Sequence, residues 1–107
     1  MTTDAGGRSP RELLREQRSR ILSLLSERGG HDVRVFGSLA RGDDDDQSDI
    51  DLLVELPDGD SAAAELLTVL GLSEELSELL GARIDVVTPR TLCDEVREAA
   101  IAEAVTL

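Results

Sequence analysis

The sequence predicts a mixed α/β (α+β) domain, a small mixed β-sheet of about three strands flanked by helices. Three short runs rich in β-branched residues, "DVRVF", "IDLLVEL" and "RIDVVT", carry the strand reading, and each is bounded by glycine, proline or aspartate. The segments between and around them place leucines and valines at helical spacing. The chain has 107 residues, one Phe and no Trp or Tyr, which allows one core built from Leu, Val, Ile and Ala.

Residues 1–8 are polar, hold two glycines and show no periodicity, so they read as a flexible tail ahead of a single domain over 9–107. Ser9, Pro10 and Glu12 form a helix-start signature, in which Ser9 caps, Pro10 takes the first position and Glu12 completes a capping box. Leu14, Ile21, Leu22 and Leu25 continue that helix until Arg28–Gly30 ends it. Residues 32–36 alternate as a strand running into Gly37, and residues 38–41 allow one or two helical turns before Gly42. A second strand covers 50–56, and Pro57–Asp60 has turn chemistry. A helix over 61–80 follows, with Gly71 as a weak point inside it. Gly81 stops that helix, a third strand spans Arg83–Thr88, and Pro89 breaks it. The last helix is expected from near Leu92, capped by Thr91, to about Ala104.

Asp plus Glu number 23 against 11 Lys plus Arg, a formal net charge of -12. Such a balance lacks the basic face of a nucleic-acid binder, so no direct nucleic-acid binding is expected. It suits a basic partner, or carboxylates that hold cations. Cys93 is the single cysteine, which excludes an internal disulfide and points to a reducing, cytoplasmic compartment. No apolar run approaches the roughly 18 residues of a membrane helix, and the N-terminus lacks an apolar signal region. A soluble protein is the expectation.

The chemistry concentrates in "FGSLARGDDDDQSDIDLLVEL", residues 36–56. Side chains two apart on a strand share a face, so Asp49 and Asp51 point one way while Ile50, Leu52 and Val54 enter the core. Two adjacent carboxylates repel unless a cation or proton lies between them. Mg²⁺ takes oxygen ligands of this kind together with substrate phosphates, the arrangement used in nucleotidyl transfer. Asp85 repeats the pattern, a lone acid in an apolar strand, and beside strand two it becomes a third ligand or the base for an attacking hydroxyl. Gly37 permits a sharp turn and close approach to a ligand. Ser38 offers a hydroxyl near backbone N–H groups for phosphate, and Arg41 adds positive charge.

"GS" at 37–38, ten residues, then "DID" at 49–51 resembles the signature of the DNA polymerase β-like nucleotidyltransferase superfamily. With "GSLARG", "SDIDLLVEL", "RIDVVTP" and the closing "IAEAVTL", the chain from Ser9 onward is most similar to the minimal nucleotidyltransferases, the antitoxins of HEPN/MNT toxin–antitoxin pairs. The resemblance implies a stripped polymerase-palm fold that binds ATP with Mg²⁺. It further implies transfer of AMP to a tyrosine of a cognate HEPN RNase toxin, held in a hetero-oligomer. Gly37 and Ser38, with Arg41, would then be nucleotide-binding. Asp49, Asp51 and Asp85 would be both catalytic and metal-ligating, with Asp85 as the base.

Plainer readings stand beside these. Asp43–Asp46 reads as a solvated loop, and its four charges would weaken ATP binding or face a basic patch on the toxin. No register of that region makes a calcium loop, because no glycine falls at the sixth position. Asp49 can serve as a turn cap, Asp85 as an edge-strand residue and Ser38 as a helix cap. Arg41 divides between a phosphate contact and a salt bridge to the acidic loop. His31 reads as exposed and Cys93 as packing. Two rival functions remain open: an antitoxin that neutralises by binding alone, and a small-molecule nucleotidyltransferase, for which the sequence offers no second domain.

Overall fold

The computed structural model describes residues 9–45, 47–57 and 61–107. The expected tail, Asp46 and the Asp58–Asp60 part of the expected turn lie outside those residues. The chain runs α1 (Pro10–Glu16), α2 (Arg18–Glu27), β1 (His31–Phe36), α3 (Ser38–Arg41), β2 (Ile50–Glu55), α4 (Ala62–Leu80), β3 (Ile84–Val87), a 3₁₀ turn (Pro89–Thr91), α5 (Asp94–Glu103) and β4 (Val105–Thr106).

The capping box forms as the sequence predicts: the Ser9 hydroxyl accepts from Glu12 N–H, and Glu12 accepts from Ser9 N–H. The single expected helix, however, is two, broken at Gln17. Neither glycine nor proline occupies the break, so tertiary anchoring accounts for it. Arg11 on α1 donates to the Leu39 carbonyl at 2.8 Å, while Arg18 on α2 donates to the Leu107 carbonyl at 3.0 Å.

The sheet has four strands in the order β3-β2-β1-β4, one more than expected. β1 pairs antiparallel with β2 and β4, and β2 pairs parallel with β3. Parallel neighbours require a crossover, which α4 supplies. The helix passes Gly71 without interruption, capped by Ser61 at its start and by Gly81 at its end, where the left-handed turn (φ 68°) suits a residue without Cβ.

One face of the sheet presents Val33, Val35, Ile50, Leu52, Val54, Ile84 and Val86 to Ile21 and Leu25 of α2 and to Val69, Leu72 and Leu76 of α4. Ile50, Leu52 and Val54 are fully buried, as their alternation with the aspartates requires. Truncating one such leucine to alanine costs about 2–5 kcal/mol in a core of this kind.

β3 lies at the sheet edge, where outward N–H groups lack a strand partner. Two serines one turn apart on α4 fill that role. Val86 N–H donates to Ser73 Oγ at 2.7 Å and Ile84 N–H to Ser77 Oγ at 3.0 Å. Farther along, Thr88 donates its hydroxyl to buried Glu65 of α4, and Arg90 lies 3.5 Å from the same carboxylate. These contacts fix β3 and its exit to the helix.

Thr91 does not cap the last helix. It closes the 3₁₀ turn instead, accepting from Thr88 N–H at 3.0 Å and donating to the Thr88 carbonyl at 3.0 Å. α5 starts at Asp94 with Cys93 in the cap position, and Asp94 and Glu95 place negative charge in the first turn, where the helix dipole favours it. Cys93 is exposed rather than packed. Among the described residues no helix is long and apolar enough to cross a membrane.

Candidate functional site

The sheet face opposite the core carries the acidic residues. In the parallel β2–β3 pair Asp51 stands directly beside Asp85. Asp49, two residues before Asp51, precedes the strand at the same end. In the antiparallel pair Asp51 faces Phe36, the residue before Gly37. Strand register thus brings the start of the Gly37–Ser38 turn against the Asp49/Asp51 pair.

Gly37 occupies backbone space (φ 77°, ψ −151°) that is essentially open only to glycine. A Cβ at this position would collide with the Asp51 carboxylate. The requirement is therefore double, conformational and steric. Gly37, not Ser38, holds the cap position of α3, and Ser38 is its first helical residue.

Between these elements opens a cleft of about 420 Å³, within the usual range for small-ligand sites. Gly37, Ser38, Arg41, Asp49 and Asp51 line one side, and Phe36 with Val96, Ala99, Ala100 and Glu103 of α5 completes it. Five of the six predicted site residues meet there. Asp85 does not line the cleft; it is exposed, next to Asp51 on the outer strand.

The electrostatics follow from that crowding. Burial, then the nearby carboxylates of Asp85 and Asp49, push the Asp51 carboxyl up to about 6, against a weaker opposing pull from Arg41. Asp49 has a partial counterion in Arg83, 3.5 Å away, a residue that is itself largely exposed. Arg41 lies 3.3 Å from both Asp43 and Glu103, and these two acids raise its guanidinium further above its ordinary value. Arg41 therefore both meets the acidic loop and reaches the cleft.

The acidic loop is more than solvated. Asp44 receives a hydrogen bond from Arg11 that holds its carboxyl below the ordinary range, which ties α1 to the loop. Asp45 accepts from Gln47 N–H at 2.9 Å, making a local turn just ahead of the site.

The sequence reading missed Glu103. Its carboxylate accepts from Gly37 N–H at 2.7 Å and from Arg41 at 3.3 Å. The signal was present: Val96, Ala99, Ala100 and Glu103 share one helix face at spacings of three and four, and Glu103 is its only acid.

Oxygen-only donors on adjacent strands suit a hard divalent cation. Among the described residues, no three acidic, histidine or cysteine side chains gather into a ready-made ion cage. A hard divalent cation can bind through one or two carboxylates alongside substrate phosphates and water. Burial raises Asp51 most, and the added repulsion from Asp85 and Asp49 is what such an ion would relieve.

A mixed sheet carrying an Asp-x-Asp pair opposite a Gly-Ser turn defines the nucleotidyltransferase class. The chain belongs to the nucleotidyltransferase domain family, whose profile matches residues 14–107. A Methanocaldococcus jannaschii protein named for protein adenylyltransferase activity (MJ0435) is 35% identical over 92 residues, covering 86% of this chain and 95% of the relative. Protein adenylyltransferase MntA of Thermococcus cleftensis is 37% identical over 82 residues, covering 76% of this chain and 79% of its own. Among solved structures, a minimal nucleotidyltransferase superposes with a TM-score of 0.71 at 43% identity, covering 90% of this chain and 94% of the other. A toxin–antitoxin structure with AMP-PNP shares the fold at a TM-score of 0.66 and 22% identity, covering 82% and 69%.

Proposed function

We propose that residues 9–107 act as one nucleotidyltransferase domain. It moves AMP from ATP to a tyrosine of a HEPN-type RNase toxin, to which it also binds as antitoxin in the cytoplasm. The observation that carries the reading is the grouping of Asp49, just ahead of β2, Asp51 on β2 and Asp85 beside it on β3, with Gly37 and Ser38 lining the same cleft as the first two. The relatives' names support the reaction class.

In this reading Asp49 and Asp51 hold Mg²⁺, which when bound supplies charge neutralisation at the triphosphate. Gly37 N–H, Ser38 and Arg41 bind phosphate oxygens and orient the α-phosphorus. Phe36, Val96 and Ala99 give the cleft an apolar wall. The tyrosine oxygen attacks the α-phosphorus, forming a new P–O bond as the bond to diphosphate breaks. Diphosphate leaves with the electron pair. Asp85, exposed beside Asp51, takes the phenolic proton, and its solvent-facing position lets a protein side chain approach.

A protein partner also suits α4. Leu66, Leu67 and Leu70 are 45%, 71% and 57% exposed, and Glu74 and Glu78 follow on the same helix. An apolar patch bordered by acids fits a partner with an apolar face and a basic rim. Neutralisation by binding alone is the second reading, favoured by the internal carboxylate already on Gly37 N–H.

The test is to incubate the protein with ATP, Mg²⁺ and the product of the neighbouring reading frame, then weigh that product by mass spectrometry. AMP increments that vanish in Asp49→Asn/Asp51→Asn support transfer. Neutralisation that survives the double variant, with no increment, refutes it and leaves binding alone.

A further inference from the structure

The cleft already contains an anion of its own. Glu103 takes the Gly37 N–H at 2.7 Å and lies 3.3 Å from Arg41 through both carboxylate oxygens. Those are two of the donors assigned above to phosphate. A carboxylate and a phosphate oxygen ask the same thing of a donor, so both cannot hold it at once.

We propose that Glu103 is an internal competitor for the nucleotide's phosphates, a latch that must swing away before the triphosphate can seat. The inference rests on the nucleotide reading of the cleft.

The surroundings suit a group that moves. Glu103 is the last residue of α5, where the helix dipole disfavours negative charge, so its position depends on Gly37 and Arg41 rather than on its own helix. Its side chain is 25% exposed, so a rotation delivers the carboxylate to water and leaves no buried charge unpaired. The backbone can stay in place during that rotation. Ala104 follows as the helix cap, Val105–Thr106 pair with β1, and Ala100 is buried on the same helix. Closed, the latch adds a negative charge to a cleft already holding Asp49 and Asp51, and it pairs the cation that would attract phosphate. Open, it frees the Gly37 N–H and Arg41 together. Empty and loaded cleft therefore differ by one side-chain rotation. The residue sets how much nucleotide is needed to fill the site.

The experiment is calorimetric titration of the full chain with a non-hydrolysable ATP analogue and magnesium, comparing the wild type, Glu103→Gln and Glu103→Ala. Glutamine keeps the size and an acceptor for Gly37 N–H but removes the charge; alanine removes both. Each variant binds more tightly than wild type, by on the order of tenfold, the scale of one competing charge-assisted hydrogen bond. A residue that merely supports the fold would not raise affinity when removed. In parallel, the Gly37 amide resonance of the wild type shifts on adding the analogue, and Glu103→Ala shifts it without ligand. Equal or weaker binding by both variants, with wild-type binding abolished by Asp49→Asn/Asp51→Asn, overturns the latch and leaves the nucleotide reading standing. Absence of binding by the wild type and both variants overturns the two together.

Discussion

Replacing Asp51 by asparagine should stabilise the metal-free protein at neutral pH while abolishing transfer. Burial and the carboxylates of Asp85 and Asp49 raise the Asp51 carboxyl from an ordinary 3.8 to about 6. Between those values the folded chain binds more protons than the unfolded chain, so this group's stabilising contribution is complete below about pH 4 and is lost as pH rises through 6. The shift spans roughly two units, which at about 1.4 kcal/mol per unit bounds the effect near 3 kcal/mol. Asp51 is only half-buried, and screening by water reduces that to about 1–2 kcal/mol. Asparagine keeps the shape and cannot ionise. With no Trp or Tyr to report by fluorescence, the measurement is urea unfolding followed by far-ultraviolet circular dichroism, in EDTA, at pH 4, 6 and 8. The two proteins should coincide near pH 4, and the variant should lead by about 1–2 kcal/mol at pH 8. A variant equal to or weaker than wild type at pH 8, or a gap independent of pH, refutes the reasoning.

Millimolar MgCl₂ should raise the wild-type unfolding midpoint at pH 8, by about 1.4 kcal/mol at ten times its dissociation constant. The gain should disappear in Asp49→Asn/Asp51→Asn, shrink at pH 5 and reverse with EDTA. Gly37→Ala combines a backbone strain of roughly 1–3 kcal/mol with a collision against Asp51, and the same unfolding assay should show a loss at least that large. Ser73→Ala and Ser77→Ala each strand an edge N–H of β3, at about 1–2 kcal/mol apiece. Hydrogen exchange should read this as faster exchange at Val86 and Ile84, respectively.

The central elements were legible because their signals are local. The alternation of Asp49, Ile50, Asp51 and Leu52 states which side is core, and burial follows it residue by residue. Ser9–Glu12 declares a helix start through contacts spanning three residues. What escaped depends on long-range geometry. The break at Gln17 has no local cause; it follows from Arg11 reaching Leu39 and Arg18 reaching Leu107. β4 is two residues long, too short for any period to show, and exists only because β1 offers its free edge. Thr91 looked like a cap, but Thr88 engages it first. Glu103 lies 66 residues from the Gly37 amide it meets, a distance no spacing motif spans.

The site also depends on a helix that never touches it. Asp85 can serve beside Asp51 only while β3 keeps its register against β2, and a one-residue slip would turn Asp85 toward the core face. An exposed edge strand of four residues has little of its own to prevent that. Ser73 and Ser77 of α4 hold it, because their spacing of four matches one helical turn and meets β3 residues two apart. In the observed register the outward-pointing N–H groups of Ile84 and Val86 donate to those hydroxyls, and Ser77 Oγ donates in turn to the Ile84 carbonyl at 3.2 Å, which ties the strand to the helix through both kinds of backbone group. The carboxylate geometry is thus set from the far side of the strand. α4 in turn carries the exposed leucines assigned above to the partner. A toxin docked on Leu66, Leu67 and Leu70 would press on the helix that sets the position of Asp85.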